Sequence, residues 1–252
     1  MPDTKISLEN ISDGQNFLHF NPNGGLIESL QLEGVKILAS IKRGDGKTAC
    51  THFCIPMLGP DIRILPKGTT KLPQHGPSRN EIWQIINHDS QRGLITVKYE
   101  LKHQSYPQGL VVIVDHQLKD GLYKNTTTIK NQGTEKMPIV PGWHLYWNKQ
   151  NTSSIILNGK NISKEINPGS SFIDLSEKNI IKVSGMYEVE LTQTNLPRAV
   201  LWSGQDNQGK QDQNYFCLEP IAADLNTFGK PESILAQGEQ KKFIFSIKLI
   251  KS

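Results

Sequence analysis

Residues 110–130 read Leu110-Val111-Val112-Ile113-Val114-Asp115-His116-Gln117-Leu118-Lys119, then Asp120-Gly121, then Leu122-Tyr123-Lys124-Asn125-Thr126-Thr127-Thr128-Ile129-Lys130. Two runs rich in β-branched and aromatic residues flank an Asp-Gly pair, the strongest short-range signal for a two-residue hairpin turn. The continuous apolar run Leu110 to Val114 predicts a central strand covered on both faces. Outward from this hairpin the period-two pattern continues: Phe17 to Phe20, Leu26 to Leu32, Leu94 to Tyr99 and Phe243 to Leu249 all alternate apolar with polar positions. Alternation of that kind is what half-buried antiparallel strands require. The breaks fall at Asn23-Gly24-Gly25, Asn131-Gln132-Gly133 and Gln237-Gly238-Glu239, where Gly is expected to supply a positive φ. No stretch of helical length shows i, i+3, i+4 apolar spacing. The fold class is therefore all-β, most simply two packed antiparallel sheets.

The chain has 252 residues, a length at which all-β sandwiches commonly stay single, and no segment reads as a linker, so one domain over 1–252 is expected. Twenty-eight Lys and Arg against 24 Asp and Glu give a net charge of +4, with the cations scattered rather than striped, which argues against nucleic acid. There is no signal-peptide pattern at the N-terminus and no apolar run of membrane-spanning length, which points to a soluble cytoplasmic protein without a membrane partner. Cys50, Cys54 and Cys217 make an odd count without paired spacing, as in a reduced compartment. No short-range pair of histidines suggests a metal site, and hydrolase, P-loop and dinucleotide signatures are missing.

Three segments carry candidate chemistry. His75 lies in Gln74-His75-Gly76-Pro77-Ser78-Arg79, between strands expected around Ile62 to Leu65 and Ile82 to Ile86, with Arg79 and Trp83 within reach of the same loop mouth. His144 lies in Gly142-Trp143-His144-Leu145-Tyr146-Trp147, where alternation sends Trp143, Leu145 and Trp147 to one face and pairs His144 with Tyr146 on the other. An imidazole crowded by rings is desolvated, and its proton affinity shifts accordingly. Glu219 lies in Tyr215-Phe216-Cys217-Leu218-Glu219-Pro220, where a carboxylate amid apolar residues has either a salt-bridge partner or a task. Its face of the strand also carries Cys217 and Tyr215. His88, His103 and His116 read as exposed strand-face residues. A proton acceptor, a proton donor and flat rings together suit a sugar.

On these residues the chain resembles the aldose 1-epimerase, or galactose mutarotase-like, superfamily. The resemblance runs through Asn23-Gly24-Gly25 with Ile27 to Leu30, Pro56-Met57 and Gly59 with Arg63, His75-Gly76 with Arg79 and Trp83, His144 with Tyr146, Cys217 to Pro220, and Leu235 with Gly238-Glu239. The His-Gly-x-x-Arg-x-x-x-Trp form is closer to the glucose-6-phosphate 1-epimerase branch. The resemblance implies a large antiparallel β-sandwich with an open sugar cleft and no metal or organic cofactor. It makes Glu219 the general base, His144 the general acid and His75 the histidine that holds the sugar, with Arg63, Arg79 and Tyr146 binding substrate. The expected reaction is exchange of the α and β anomers of a hexose or hexose 6-phosphate through the open-chain aldehyde.

The chain departs from the family pattern at Gly185-Met186-Tyr187-Glu188, which offers no acidic residue directly after a Gly-aromatic pair, so no substrate-binding Asp is assigned. Two rival readings share the fold class: a catalytically silent carbohydrate-binding protein, and a carbohydrate lyase or hydrolase on a related sandwich. A hydrolase would need a second carboxylate roughly 5–9.5 Å from Glu219. Lys67, Lys71 and Arg79 around the His75 loop suggest a phosphorylated sugar. Oligomeric state is not read from the sequence.

Overall fold

Asp120 and Gly121 both take positive φ, 52° and 71°, so the connection is the mirror-image turn whose twist matches that of its strands. The hairpin they close is the expected one. The computed structural model describes residues 8–43, 46–59, 72–151, 153–206 and 208–251; the strand expected around Ile62 to Leu65, with Arg63, Lys67 and Lys71, lies outside them. The first strands in chain order are β1 (Glu9–Asp13), β2 (Asn16–Asn21), β3 (Leu26–Leu32), β4 (Val35–Ala39), β5 (Ile41–Lys42), β6 (Thr48–Ala49), β7 (His52–Cys54) and β8 (Gln84–Asp89). Next come β9 (Leu94–Leu101), β10 (Leu110–Lys119), β11 (Leu122–Asn131), β12 (Met137–Pro138), β13 (Gly142–His144), β14 (Tyr146–Asn148), β15 (Ile155–Leu157) and β16 (Lys160–Asn161). The last are β17 (Ser171–Asp174), β18 (Lys178–Val183), β19 (Tyr187–Thr194), β20 (Arg198–Trp202), β21 (Tyr215–Ile221), β22 (Ile234–Leu235) and β23 (Gln240–Lys251). Helical structure among the described residues is limited to single 3-10 turns.

Two large antiparallel sheets result. One is ordered β1-β2-β3-β4-β14-β21-β13-β7, with β20 added beside β21 and β17 beside β20; the other is ordered β16-β15-β18-β19-β23-β11-β10-β9-β8. Leu18, Phe20, Leu30 and Trp147 from the first sheet join Val112, Val114, Tyr123 and Phe245 from the second in one core cluster. Each fully buried large side chain there contributes roughly 1.5–3 kcal/mol. The fold is thus an all-β antiparallel sandwich.

Four sequence expectations are corrected. β10 is central but covered along its whole length on one face only: Leu110, Val112, Val114, His116 and Leu118 are buried there, whereas on the other face Val111 is buried and Ile113, Asp115 and Gln117 are only half-buried, because the second sheet packs on a single side. The same alternation takes His116 inward, where its Nδ1 meets the Tyr123 hydroxyl at 2.9 Å, so it is not an exposed residue. Trp83 turns away from the loop mouth into the core, stacking on Tyr99 and donating its indole N–H to the Ser78 carbonyl. Gly133 has no positive φ; glycine is required there because a Cβ would lie 2.0 Å from the Gln108 carbonyl oxygen.

Candidate functional site

Near the middle of the first sheet, β13 and β14 follow one another along the same edge of β21. Gly142 pairs with Ile221 and Tyr146 with Cys217, and this shared register sets His144 opposite Glu219. On its other edge β13 pairs with β7, His144 directly opposite His52. His52, His144 and Glu219 therefore form one row across three strands, side by side on one face, and the neighbouring row is Tyr146, Cys217 and Trp202. Trp143, Leu145 and Trp147 point the other way, into the inter-sheet core, as alternation predicts. Both rows thus lie on the face turned away from the second sheet.

His144 Nε2 is 3.4 Å from Glu219 Oε1, and the two residues are 4% and 2% exposed. The His144 ring stacks on Tyr146 at 4.6 Å and on His52 at 5.0 Å, and His75 and Trp202 meet it edge-on at 5.0 and 5.8 Å. His75 reaches the row from the loop before the 3-10 turn Ser78–Asn80. Its backbone N–H donates to the Gly59 carbonyl, and the Gly59 N–H donates back to His75 Nδ1 at 3.2 Å. That bond places the His75 proton on Nε2. His75 itself has φ 66°, and at Gly76 a Cβ would lie 1.7 Å from the Ile55 carbonyl oxygen, so only glycine can follow. Non-glycine backbone in the left-handed region clusters at functional sites.

Burial governs the electrostatics. It pushes the Glu219 carboxyl well above the usual range and the His144 imidazole well below it, His52, His75, Arg79 and Arg43 further disfavouring an imidazolium at His144. His52 is lowered to about 4, mainly by burial, with the Cys50 carbonyl that accepts its Nδ1–H opposing and Arg79 assisting. His75 is lowered to about 3 by burial, then by His52 and Arg79. Burial thus disfavours charge on every member of the row. His52 Nε2 and His144 Nδ1 have no hydrogen-bond partner among the described residues.

The sequence-predicted residues His75, His144, Tyr146 and Glu219 come together here. Arg79 follows in the 3-10 turn after the His75 loop, half-buried and close enough to influence all three histidines. Arg63 lies outside the described residues. Glu188 stands opposite Lys182 in the second sheet, away from the row. Sequence reasoning missed His52, Trp202 and Arg43, whose guanidinium lies 5.6 Å above the Trp202 ring. His52 sits in Thr51-His52-Phe53-Cys54, a short strand whose only signal is alternation; nothing local links it to His144. A hollow of about 470 Å³ lined by Ile139, Pro197 and Phe243, and another of about 290 Å³ lined by Ile82, Lys98 and Tyr99, contain none of these residues. Cys50, Cys54 and Cys217 are all reduced and buried. No described helix is long and apolar enough to cross a membrane.

Comparison with solved structures gives the fold independently. The Slr1438 protein of Synechocystis superposes with a TM-score of 0.79 at 16% identity over 97% of this chain and 96% of that one. A galactose mutarotase related enzyme from Lactobacillus acidophilus gives 0.78 at 16% identity over 96% and 97%. A galactose 1-epimerase from the same species gives 0.68 at 12% identity over 100% and 97%. Comparison with the curated proteins finds no match. The family model described as aldose 1-epimerase matches residues 11–185, a span that holds His75 and His144 and ends before Glu219. A match over more than half of its length, on a galactose mutarotase-like sandwich, means that the chain belongs to the aldose 1-epimerase family.

Proposed function

We propose that this protein interconverts the α and β anomers of a hexose or hexose 6-phosphate by acid–base opening of the pyranose ring. The observation that carries the reading is the buried His144–Glu219 pair, 3.4 Å apart, with the His75 ring against it. Ring opening needs one group to take the C1 hydroxyl proton and another to protonate the ring oxygen, each transfer contributing roughly 10²–10⁴-fold. In the reactive form Glu219 is the carboxylate and His144 the imidazolium. Glu219 takes the C1 proton while His144 gives its own to the ring oxygen, and the pair ends as carboxylic acid and neutral imidazole. Burial favours that uncharged form, so opening relieves a charge separation that the site disfavours. Rotation about C1–C2 and the reverse transfers then close the other anomer. His75, with Nδ1 occupied by Gly59, offers its Nε2–H to a sugar oxygen. Arg79 and Tyr146 complete the substrate contacts, with Trp202 as a flat wall for the C–H face of the sugar.

Anomer exchange followed by NMR, with glucose, galactose and their 6-phosphates side by side, tests the activity. Glu219→Gln should slow exchange by roughly 10²-fold or more while sugar binding survives, because the amide keeps the shape and loses the base. Equal losses of binding and rate would make the pair structural.

The phosphorylated substrate is supported by Arg43 and Arg79, both near enough to act on His144. A guanidinium clamp on phosphate contributes roughly 1.5–3 kcal/mol per charge-assisted hydrogen bond, a tenfold or larger preference. Arg79→Ala should therefore lower kcat/KM for glucose 6-phosphate more than for glucose at physiological salt. An unchanged ratio would leave a neutral-sugar epimerase.

A further inference from the structure

A ring nitrogen of His144, Cys217 Sγ and a Glu219 carboxylate oxygen all lie within 4.8 Å of one another, and all three residues are buried. The row geometry explains why. Glu219 and Cys217 are two apart on β21 and share a face, and His144 stands opposite Glu219 on β13. The 3.4 Å between His144 and Glu219 is long for a charge-assisted hydrogen bond, which runs about 2.7–2.9 Å. It is the right length for something else. Two ligands held tetrahedrally at about 2.0–2.1 Å from one zinc ion stand about 3.3–3.4 Å apart. A thiolate at about 2.3 Å from the same ion would lie about 3.5 Å from each of them.

We propose that His144, Cys217 and Glu219 form a binding site for a thiophilic divalent cation, Zn²⁺ in the first place, and that occupancy of this site blocks the epimerase. Three protein donors of nitrogen, sulfur and oxygen type leave a fourth position, the pattern of an open zinc site. A single carboxylate among softer donors does not suit Ca²⁺ or Mg²⁺, which take oxygen shells. Charge balance favours the ion as well. Glutamate and thiolate together neutralise two positive charges, so the buried row stays neutral although Arg43 and Arg79 stand near it. Binding releases the protons of the carboxyl and the thiol to solvent. A second observation comes from the imidazole beside the site. With its Nδ1–H given to the Cys50 carbonyl, His52 keeps a buried, unpartnered Nε2 lone pair in the same row. The ion engages the lone pairs that proton transfer requires, so metal and reaction exclude each other. The blocking effect rests on the epimerase reading, whereas the site itself does not.

The test begins with the full-length protein, freed of metal by a chelator and titrated with Co²⁺ and then Zn²⁺. About one equivalent of Co²⁺ should give a thiolate-to-metal charge-transfer band in the near-ultraviolet and the visible bands of a tetrahedral centre, both displaced by Zn²⁺. In Cys217→Ser the charge-transfer band should vanish and Zn²⁺ affinity fall by roughly 100-fold, while Cys50→Ser retains both. Zn²⁺ should lower anomer exchange by roughly tenfold or more in the parent protein, with recovery on chelation, and the Cys217→Ser variant should resist it. A wild-type Co²⁺ spectrum without a thiolate band overturns the proposal, even should Cys217→Ser fail to fold. So does a band that survives Cys217→Ser and is lost in Cys50→Ser. Glu219→Gln, which preserves shape, should also weaken Zn²⁺ binding, and unchanged binding there counts against the site. If no sugar shows accelerated exchange while the Cys217-dependent band persists, the epimerase reading falls and the metal site stands. If exchange is fast and Zn²⁺ changes neither rate nor spectrum, the metal site falls alone.

Discussion

His75 shows how much one hydrogen bond decides. Because the Gly59 N–H occupies Nδ1, the imidazole is neutral and can only donate through Nε2, which fits a role in holding a sugar oxygen rather than in moving a proton. Two substitutions separate these roles. Gln places an amide nitrogen near the Nε2 position and Asn places one near Nδ1, and Asn is also at ease at the φ of 66° found here. His75→Gln is therefore expected to retain more kcat/KM for anomer exchange than His75→Asn. The reverse order would mean that Nδ1, and with it the loop contact to Gly59, is what matters. As candidates, His75, His144 and Glu219 were legible from their sequence surroundings, and the structure brings them together. His52 was not legible, because its place in the row comes from standing opposite His144 across a β7–β13 pairing that no local pattern encodes.

The elements divide in the same way. The β10–β11 hairpin was legible because turn chemistry and alternation are local properties of the chain. Its glycine is needed for backbone conformation alone: at Gly121, with φ 71°, a new Cβ would meet nothing closer than Glu33 Oε1 at 3.6 Å. Gly121→Ala should thus destabilise by about 1–2 kcal/mol, seen in the urea midpoint, with anomer exchange retained. Gly76→Ala is expected to differ in kind, since its Cβ would sit 1.7 Å from a backbone oxygen and displace His75, so exchange should be lost even where the fold persists. Equal activity in the two variants would sink the view that the His75–Gly76 turn positions the site. The break at Leu145 was not legible. Gly142 to Trp147 reads as one strand, yet β13 and β14 separate there to meet β7 and β4 as different partners of the sheet, and that division brings His52 on β7 opposite His144. The inward turn of His116 was legible and missed, for it stands two residues after Val114 and two before Leu118 on the face that packs.

At the scale of the whole molecule, burying four histidines ties stability to pH. His52 is lowered to about 4, His75 and His116 to about 3, and His144 well below its usual value, all chiefly by burial. An unfolded histidine takes its proton near pH 6.5, so below that pH the unfolded chain binds protons that the folded chain refuses. Stability should fall as pH drops from about 6.5 toward 4, by roughly 1.4 kcal/mol per pH unit for each such group. Glu219, raised by burial, acts with the opposite sign: its contribution is present below the unfolded carboxyl range and is lost as pH rises through its raised value. The histidines outnumber it. Urea midpoints should therefore be lower at pH 5 than at pH 7, and an equal or higher midpoint at pH 5 would contradict the burial of these rings. Strand period, turn positions and the aromatic or glycine setting of each candidate residue were determined by the sequence alone, since they depend on neighbours along the chain. The His52–His144–Glu219 row, the depth of its burial and its approach to Cys217 were decided only by the tertiary structure. They depend on the registers of β7, β13 and β21, strands far apart in sequence, and those registers are held by the packing of Trp143, Leu145 and Trp147 on the opposite face.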